Sequence, residues 1–373
     1  MPVNTFVLKV ANRCNIDCDY CYVFNSADQV ARTLPARMSS AVVTATTDRI
    51  REYCESQGLA TVNVVFHGGE PLLLGLRRMR ELLSDIRSRL APVQVSYVLQ
   101  TNGVLVDERW ADLFSEYQVK VGVSLDGPPE VNDLHRRGHR GQSTAAGAAE
   151  GVRLLRQKDD VLAGVLAVID LRADPVATYD YLADLGAPMI DFALPHATHQ
   201  APPLRTPGHA AEYGRWLCDV FDRWHTSPGR VRVRMFDDIV ALRLGARGAV
   251  DSLGLAGSGM VTIESDGGIE GYDALRAVRP GESQLGLSVF ENTLEDACGH
   301  PGLNDRVSGS WDDLGEVCRS CELVSICGGG YKPHRFAVGT GYLNPSVYCD
   351  DLQVLIRHVA SATERRLTAI SPT

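Results

Sequence analysis

The stretch Cys14-Asn15-Ile16-Asp17-Cys18-Asp19-Tyr20-Cys21 puts three cysteines within eight residues, spaced C-x3-C-x2-C, just after a short apolar run, Thr5 to Val10. Iron–sulfur ligands are cysteine thiolates, four to a [4Fe–4S] cube. A loop that offers three can hold three corners and leave the fourth iron open to another ligand. A structural zinc loop and buried free thiols are the competing readings. Clustered cysteines in a reducing compartment more often bind metal than form disulfides.

The rest of the composition sets the class. The chain has 373 residues, 45% hydrophobic and 22% charged, which suits a folded protein with a large core or two domains. Its net charge of −9 argues against a general nucleic-acid binder, which needs clustered Lys and Arg. The N-terminus, Met1 to Phe6, has no basic leader before a long apolar segment. The longest apolar run, Val161 to Ile169, is too short to span a bilayer. The expectation is a cytoplasmic protein, with no membrane partner, whose thiols stay reduced.

Strand and helix signals alternate outward from the cysteine loop. Strands are expected at Phe6–Val10, Thr61–Phe66, Val93–Leu99, Val119–Leu125, Val161–Ile169 and Met189–Leu194. Helices are expected at Ser39–Ser56 (capped by Ser39 or Ser40), Arg77–Leu90, Asp107–Tyr117, Thr144–Gln157 and Pro175–Leu185. This repetition predicts a parallel α/β sheet with right-handed crossovers, and six strands suit an open partial (β/α)6 barrel. Ligands in such sheets gather at the C-terminal strand ends. After Leu194, the stretch Pro195 to Pro207 reads as an irregular linker over the barrel mouth. Its His196 and His199 lack a third metal-ligating partner. A helix is expected over Glu212–Trp224, a short strand over Arg230–Arg234, and an amphipathic tail helix over Asp351–Leu367 ending in Arg365-Arg366. The domain expectation is 1–227 for the barrel, 228–352 for a cysteine-bearing second unit, and 353–373 for the terminal helix and tail.

Three motifs follow strand ends. His67-Gly68-Gly69-Glu70-Pro71 follows the second; its glycines permit close backbone approach to a ligand, and the proline stops the strand. Gln100-Thr101-Asn102-Gly103 follows the third, and Asn-Gly is a turn signal in any protein. Ser124-Leu125-Asp126-Gly127-Pro128 ends the fourth, with Asn132-Asp133-Leu134-His135-Arg136 beyond it. Together with the cysteine loop these resemble the radical S-adenosylmethionine (SAM) enzymes. The resemblance implies that Cys14, Cys18 and Cys21 hold a [4Fe–4S] cluster whose open iron chelates SAM. It implies that Gly68, Gly69 and Glu70 form the motif that binds the methionine amino group, with Gln100 and Asn102 near the same pocket. It implies further that Ser124 contacts SAM through its hydroxyl, that Arg136 (or the adjacent Arg137) pairs with its carboxylate, and that Tyr20 sits beside adenine. A guanidinium–carboxylate pair is bidentate and suits holding a ligand still. A core aromatic, a plain turn or a surface arginine is the bland alternative for each.

A second cysteine set, Cys318-x2-Cys321-x5-Cys327 with Cys349 after 21 intervening residues, resembles the SPASM domain, which carries auxiliary iron–sulfur clusters. The full pattern has seven cysteines. Here Tyr331 and Tyr272 occupy two of the cysteine positions, and Gly254 to Gly259 has none where early ones are expected. The resemblance therefore implies one auxiliary [4Fe–4S] cluster on Cys318, Cys321, Cys327 and Cys349; a four-cysteine zinc site is the alternative. Cys54, Cys218 and Cys298 remain, and read as free buried thiols. Asp273, in the segment Asp266 to Asp273, matches a position that in related maturases is a candidate base facing the substrate; a turn-capping role competes.

The implied chemistry is reductive SAM cleavage to a 5′-deoxyadenosyl radical that abstracts a hydrogen from a substrate carbon; the cofactor carries the radical chemistry and the protein orients it. The stretches Val7-Leu8-Lys9-Val10-Ala11, Cys327 to Phe336 and Asn344 to Cys349 look like maturases whose precursor peptides end in Phe-x-Ser-x-x, a group that forms cyclophanes. The expectation is a ring-to-Cβ crosslink in a ribosomally made peptide, with a flavodoxin or ferredoxin as electron donor. Peptide epimerisation, thioether formation and sulfatase-type formylglycine formation are the alternatives. A zinc-bearing peptide-binding protein without catalysis is the alternative from another class.

Overall fold

The structure is a computed structural model, described over residues 3–227, 229, 231–246, 248, 250–255, 259–304 and 311–370. Twelve strands are seen among these residues: β1 (Thr5–Ala11), β2 (Ile16–Cys18), β3 (Thr61–Gly68), β4 (Gln94–Thr101), β5 (Lys120–Ser124), β6 (Arg136–Gly138), β7 (Leu162–Val168), β8 (Met189–Ala193), β9 (Arg232–Val233), β10 (Met260–Ile263), β11 (Gly268–Glu270) and β12 (Gln284–Ser288). The helices of the first part are α1 (Ser40–Gln57), α2 (Leu76–Leu90), α3 (Glu108–Tyr117), α4 (Pro129–His135), α5 (Ala145–Arg156), α6 (Pro175–Asp184), α7 (Glu212–Thr226) and α8 (Arg234–Arg243).

The six expected barrel strands pair in parallel in chain order, β1-β3-β4-β5-β7-β8. Their alternation decides what meets the helices and what lines the lumen. On β3, Val62, Val64 and Phe66 are buried in the core shared with α1 and α2, while Asn63, Val65 and His67 point the other way. On β1, Phe6, Leu8 and Val10 join that core, and Lys9 faces the lumen opposite His67. The helices carry the caps their sequences announce. Ser39 accepts from the Val42 amide at 3.2 Å, Asp107 from Trp110 at 3.0 Å, and Asp174 from Ala177 at 2.8 Å.

Three features differ from the sequence reading. The sheet does not end at the barrel. It runs to ten strands, with β9 added beside β8, and β10 laid parallel to β1 on the other edge, followed by antiparallel β11 and β12. The expected strand at Arg230–Arg234 is only Arg232–Val233, because α8 already starts at Arg234; Arg230 lies outside the described residues. The terminal helix begins earlier than expected, at Cys349, and runs to Ile370 against α7; the side chains of Arg365 and Arg366 lie outside the described residues. Asp351 fastens this contact by accepting from the Gly214 amide at 2.9 Å and pairing with Arg205. No helix among the described residues is long and apolar enough to cross a membrane.

Candidate active site

The cysteine loop leaves β1 and is held from two sides. From below, the Gly69 and Glu70 amides donate to the Ala11 and Arg13 carbonyls at 2.8 and 2.9 Å. A Cβ on Gly68 would overlap the Ala11 carbonyl, and one on Gly69 would overlap that of Arg13. The glycine pair thus lets two protein loops touch, where the sequence suggested approach to a ligand. Glu70 is fully buried, and its carboxylate accepts from the Leu72 amide (3.0 Å), the Thr101 hydroxyl (2.8 Å) and the Asn102 amide (2.8 Å). Its side chain fixes the next motif rather than standing free. Asn102 then donates to Asn15 at 2.8 Å and lies 3.8 Å from the Cys14 sulfur.

From the side, β2 pairs antiparallel with β6, setting Cys18 opposite Arg136. Arg136 is buried and donates to the Tyr20 hydroxyl at 3.0 Å, and Tyr20 donates to Asp126 at 2.5 Å. Arg137 points away and donates to the Asp133 carbonyl. Of the two arginines, Arg136 is the one at the loop. Gln100 donates to Ser124 at 2.8 Å and lies over Gly122, where any side chain would collide with it.

The three thiols are electrostatic neighbours. Burial pushes Cys14 up to about 12 and Cys18 up to about 11, the Arg136 charge opposing the shift at Cys18. Buried, metal-free thiols therefore stay protonated; a bound metal would release their protons. Among the described residues no three Cys, His, Asp or Glu side chains converge tightly enough to hold a single metal ion. Three thiols on one short loop, with an amide donor on one sulfur, fit the corners of a cube.

The C-terminal cysteines form a similar group. Cys318, Cys321 and Cys349 all act electrostatically on Cys327, which burial raises to about 12. The Leu323 amide lies 3.5 Å from the Cys321 sulfur, and Gln353 lies 3.3 Å from that of Cys349. The early-cysteine stretch Gly254 to Gly259 has residues 256–258 outside the described residues. Tyr272 and Tyr331, at the other departures from the full pattern, meet edge to face at 5.8 Å and 81°, and the Tyr272 hydroxyl bonds Asp251. Two aromatic rings thus stand in contact at these two positions. Cys54 and Cys218 are buried, and the Cys298 thiol donates to the Tyr53 hydroxyl at 3.5 Å.

Between the two cysteine groups lies a cluster that sequence reasoning largely missed. Lys9 is 1% exposed, forms an ion pair with Asp273, and donates to His67 Nδ1 at 3.0 Å, which places the imidazole proton on Nε2. The Tyr22 hydroxyl donates to the same Asp273 oxygen at 2.7 Å. Burial alone would raise Asp273, but the Lys9 ammonium holds it well below the carboxylate range. Burial and then Lys9 pull His67 down to about 3, so it is neutral. Above this cluster, the His196 ring stands 5.2 Å from Tyr22, 5.9 Å from Tyr331 and 6.4 Å from His334. His196 is accessible although protein surrounds it, so these rings line an interior cleft. His199 does not join them; it bonds the Pro345 carbonyl at 2.9 Å. One signal was available: a lone lysine in an apolar strand must find a buried counter-charge.

The radical SAM superfamily model matches residues 8–170. A serine-type anaerobic sulfatase-maturating enzyme of Klebsiella aerogenes is 30% identical over 93% of this chain and 84% of its own. A cysteine-type anaerobic sulfatase-maturating enzyme of Clostridium perfringens is 24% identical over 93% and 94%. Among solved structures, native anSMEcpe with bound AdoMet and Cp18Cys peptide superposes with TM-score 0.83, at 21% identity, covering 100% of both chains. SuiB of Streptococcus suis bound to its precursor peptide SuiA superposes with TM-score 0.59, at 15% identity, covering 93% of this chain and 76% of its own. The family match runs from β1 through the cysteine loop to β7, and the 30% identity extends over most of both chains; the chain belongs to the radical SAM superfamily, as an enzyme that uses SAM and [4Fe–4S] clusters.

Proposed function

We propose that this enzyme matures a ribosomally made peptide by joining the β-carbon of one residue to the aromatic ring of another. Cys14, Cys18 and Cys21 would hold the SAM-binding cluster, and Cys318, Cys321, Cys327 and Cys349 one auxiliary cluster. When bound, these groups supply the hydrogen-abstracting 5′-deoxyadenosyl radical and an electron acceptor. Arg136, Ser124, Gln100 and Asn102 would orient SAM, with Tyr20 braced between Arg136 and Asp126.

The observation that carries the crosslink reading is the ring-lined cleft of Tyr22, His196 and Tyr331 directly above Asp273. Rings receive a substrate ring through offset and edge contacts. A ring attacked by a carbon radical must lose an electron and a proton to regain aromaticity, and that proton is strongly acidic. A carboxylate held ionised by Lys9 is a weak base that is always ready, which matches an acidic proton better than a hydroxyl.

A second reading, oxidation of a serine or cysteine to formylglycine, is favoured by the sulfatase-maturating relatives. The test is co-expression with a candidate peptide encoded beside the gene, then digestion and mass spectrometry. Loss of two hydrogens with fragmentation blocked between an aromatic residue and a near neighbour supports the crosslink. An aldehyde captured by a hydrazide supports formylglycine. Unchanged mass with one deuterium taken from heavy water indicates epimerisation.

A further inference from the structure

Arg335 is 0% exposed, yet among the described residues its Nε and Nη2 have no hydrogen-bond partner, while Nη1 donates to the Asp313 carbonyl at 3.2 Å. A guanidinium carries five N–H donors that cannot be neutralised, and leaving them unpaired in the interior is costly. Such an orphan in a native fold calls for a partner. The groups around it are informative. Asp313 is its carboxylate neighbour, and Asp313 also faces Lys332 at 3.8 Å. The other groups acting on it, once ionised, are the thiols of Cys318 and Cys327 and the Tyr342 hydroxyl. The backbone holds it there: Gly329 has φ +84°, and a Cβ on it would come within 3.1 Å of Nη1.

We propose that Arg335 is a positioning residue for the C-terminal four-cysteine centre, donating from Nε and Nη2 to the sulfides that a bound cluster would bring and compensating its negative charge. The inference rests on the reading that these four cysteines hold an iron–sulfur cluster. Charge and N–H···S hydrogen bonds at such a cluster raise its reduction potential, because the reduced form carries one more negative charge. Arg335 thereby makes the centre a better electron acceptor than its four thiolates alone would.

The test uses the full-length chain with Cys14, Cys18 and Cys21 replaced by alanine, so that only the C-terminal centre remains. After anaerobic reconstitution, iron per chain is counted and the midpoint potential is read by titration followed by electron paramagnetic resonance. Arg335→Gln is expected to load the same iron with a more negative midpoint. An unchanged midpoint at full iron overturns the proposal. Should Arg335→Gln not load, Arg335→Lys keeps the charge without the planar fork; a midpoint below the parent's supports the donation from Nε and Nη2, and one equal to it overturns that donation. Zinc or no iron in the parent would instead overturn the cluster reading on which the inference rests.

Discussion

Lys9 and Asp273, 264 residues apart in sequence, form a buried ion pair at the floor of the cleft. Removing one partner strands the other charge in the interior, which typically costs about 3–5 kcal/mol. Lys9→Met is expected to lose stability on that scale in urea unfolding, and Lys9→Met with Asp273→Leu to recover much of it. Asp273 is held below its unfolded value, so its contribution is complete above about pH 4 and fades as pH falls through the folded value. Additive losses in the double variant would deny the coupling.

His67 gives the opposite group the same kind of test. It is neutral in the fold, lowered to about 3, whereas an unfolded histidine titrates near pH 6.5. Between those values the unfolded chain binds the extra proton, so stability falls on acidification by up to about 1.4 kcal/mol per pH unit. His67→Gln should flatten the dependence between pH 6 and 4. Equal slopes for both proteins would mean that His67 is not held neutral.

Asp273→Ala should leave SAM cleavage intact while crosslinked product stalls, since Asp273 bonds Lys9 and Tyr22 and none of the cluster cysteines or the SAM-side residues Gln100, Asn102, Ser124 and Arg136. The readouts are 5′-deoxyadenosine formed and peptide mass. Unchanged crosslinking would remove Asp273 from the mechanism.

Gly328→Ala addresses the C-terminal centre. Gly328 has φ +62°, and a Cβ there would run into the Gly254 carbonyl, which is backbone and cannot step aside. The left-handed conformation alone costs about 1–2 kcal/mol for a residue with a Cβ. The expected result is a lower melting temperature and loss of iron at the C-terminal centre, with iron at the N-terminal loop retained. Full iron at both would show that the segment can shift.

The barrel was legible because each strand and helix announces itself within about ten residues, and the cysteine loop because its ligands lie within eight. Arg136 was legible as one of two neighbours; the choice between them needed the β2–β6 pairing that sets it against Cys18. Lys9, Tyr22 and His334 were not read as site residues, because nothing local marks them. Their neighbours are delivered by parallel register and by a return of the chain from beyond residue 260. The continuous sheet was missed for a related reason: β10 has four residues, and its partner is the strand at the opposite end of the chain.

That pairing bears on how the protein is made. β1 is made well before β10, and one of its two edges stays bare until Met260–Ile263 has been synthesised. During this interval the strand that carries the cysteine loop presents unpaired amides and carbonyls next to an apolar core, the condition in which chains associate wrongly. Slow non-local closure also delays the step. Low temperature and chaperone supply during expression should therefore raise the yield of folded enzyme, since the edge of the strand that carries the loop is closed only once β10 has been made.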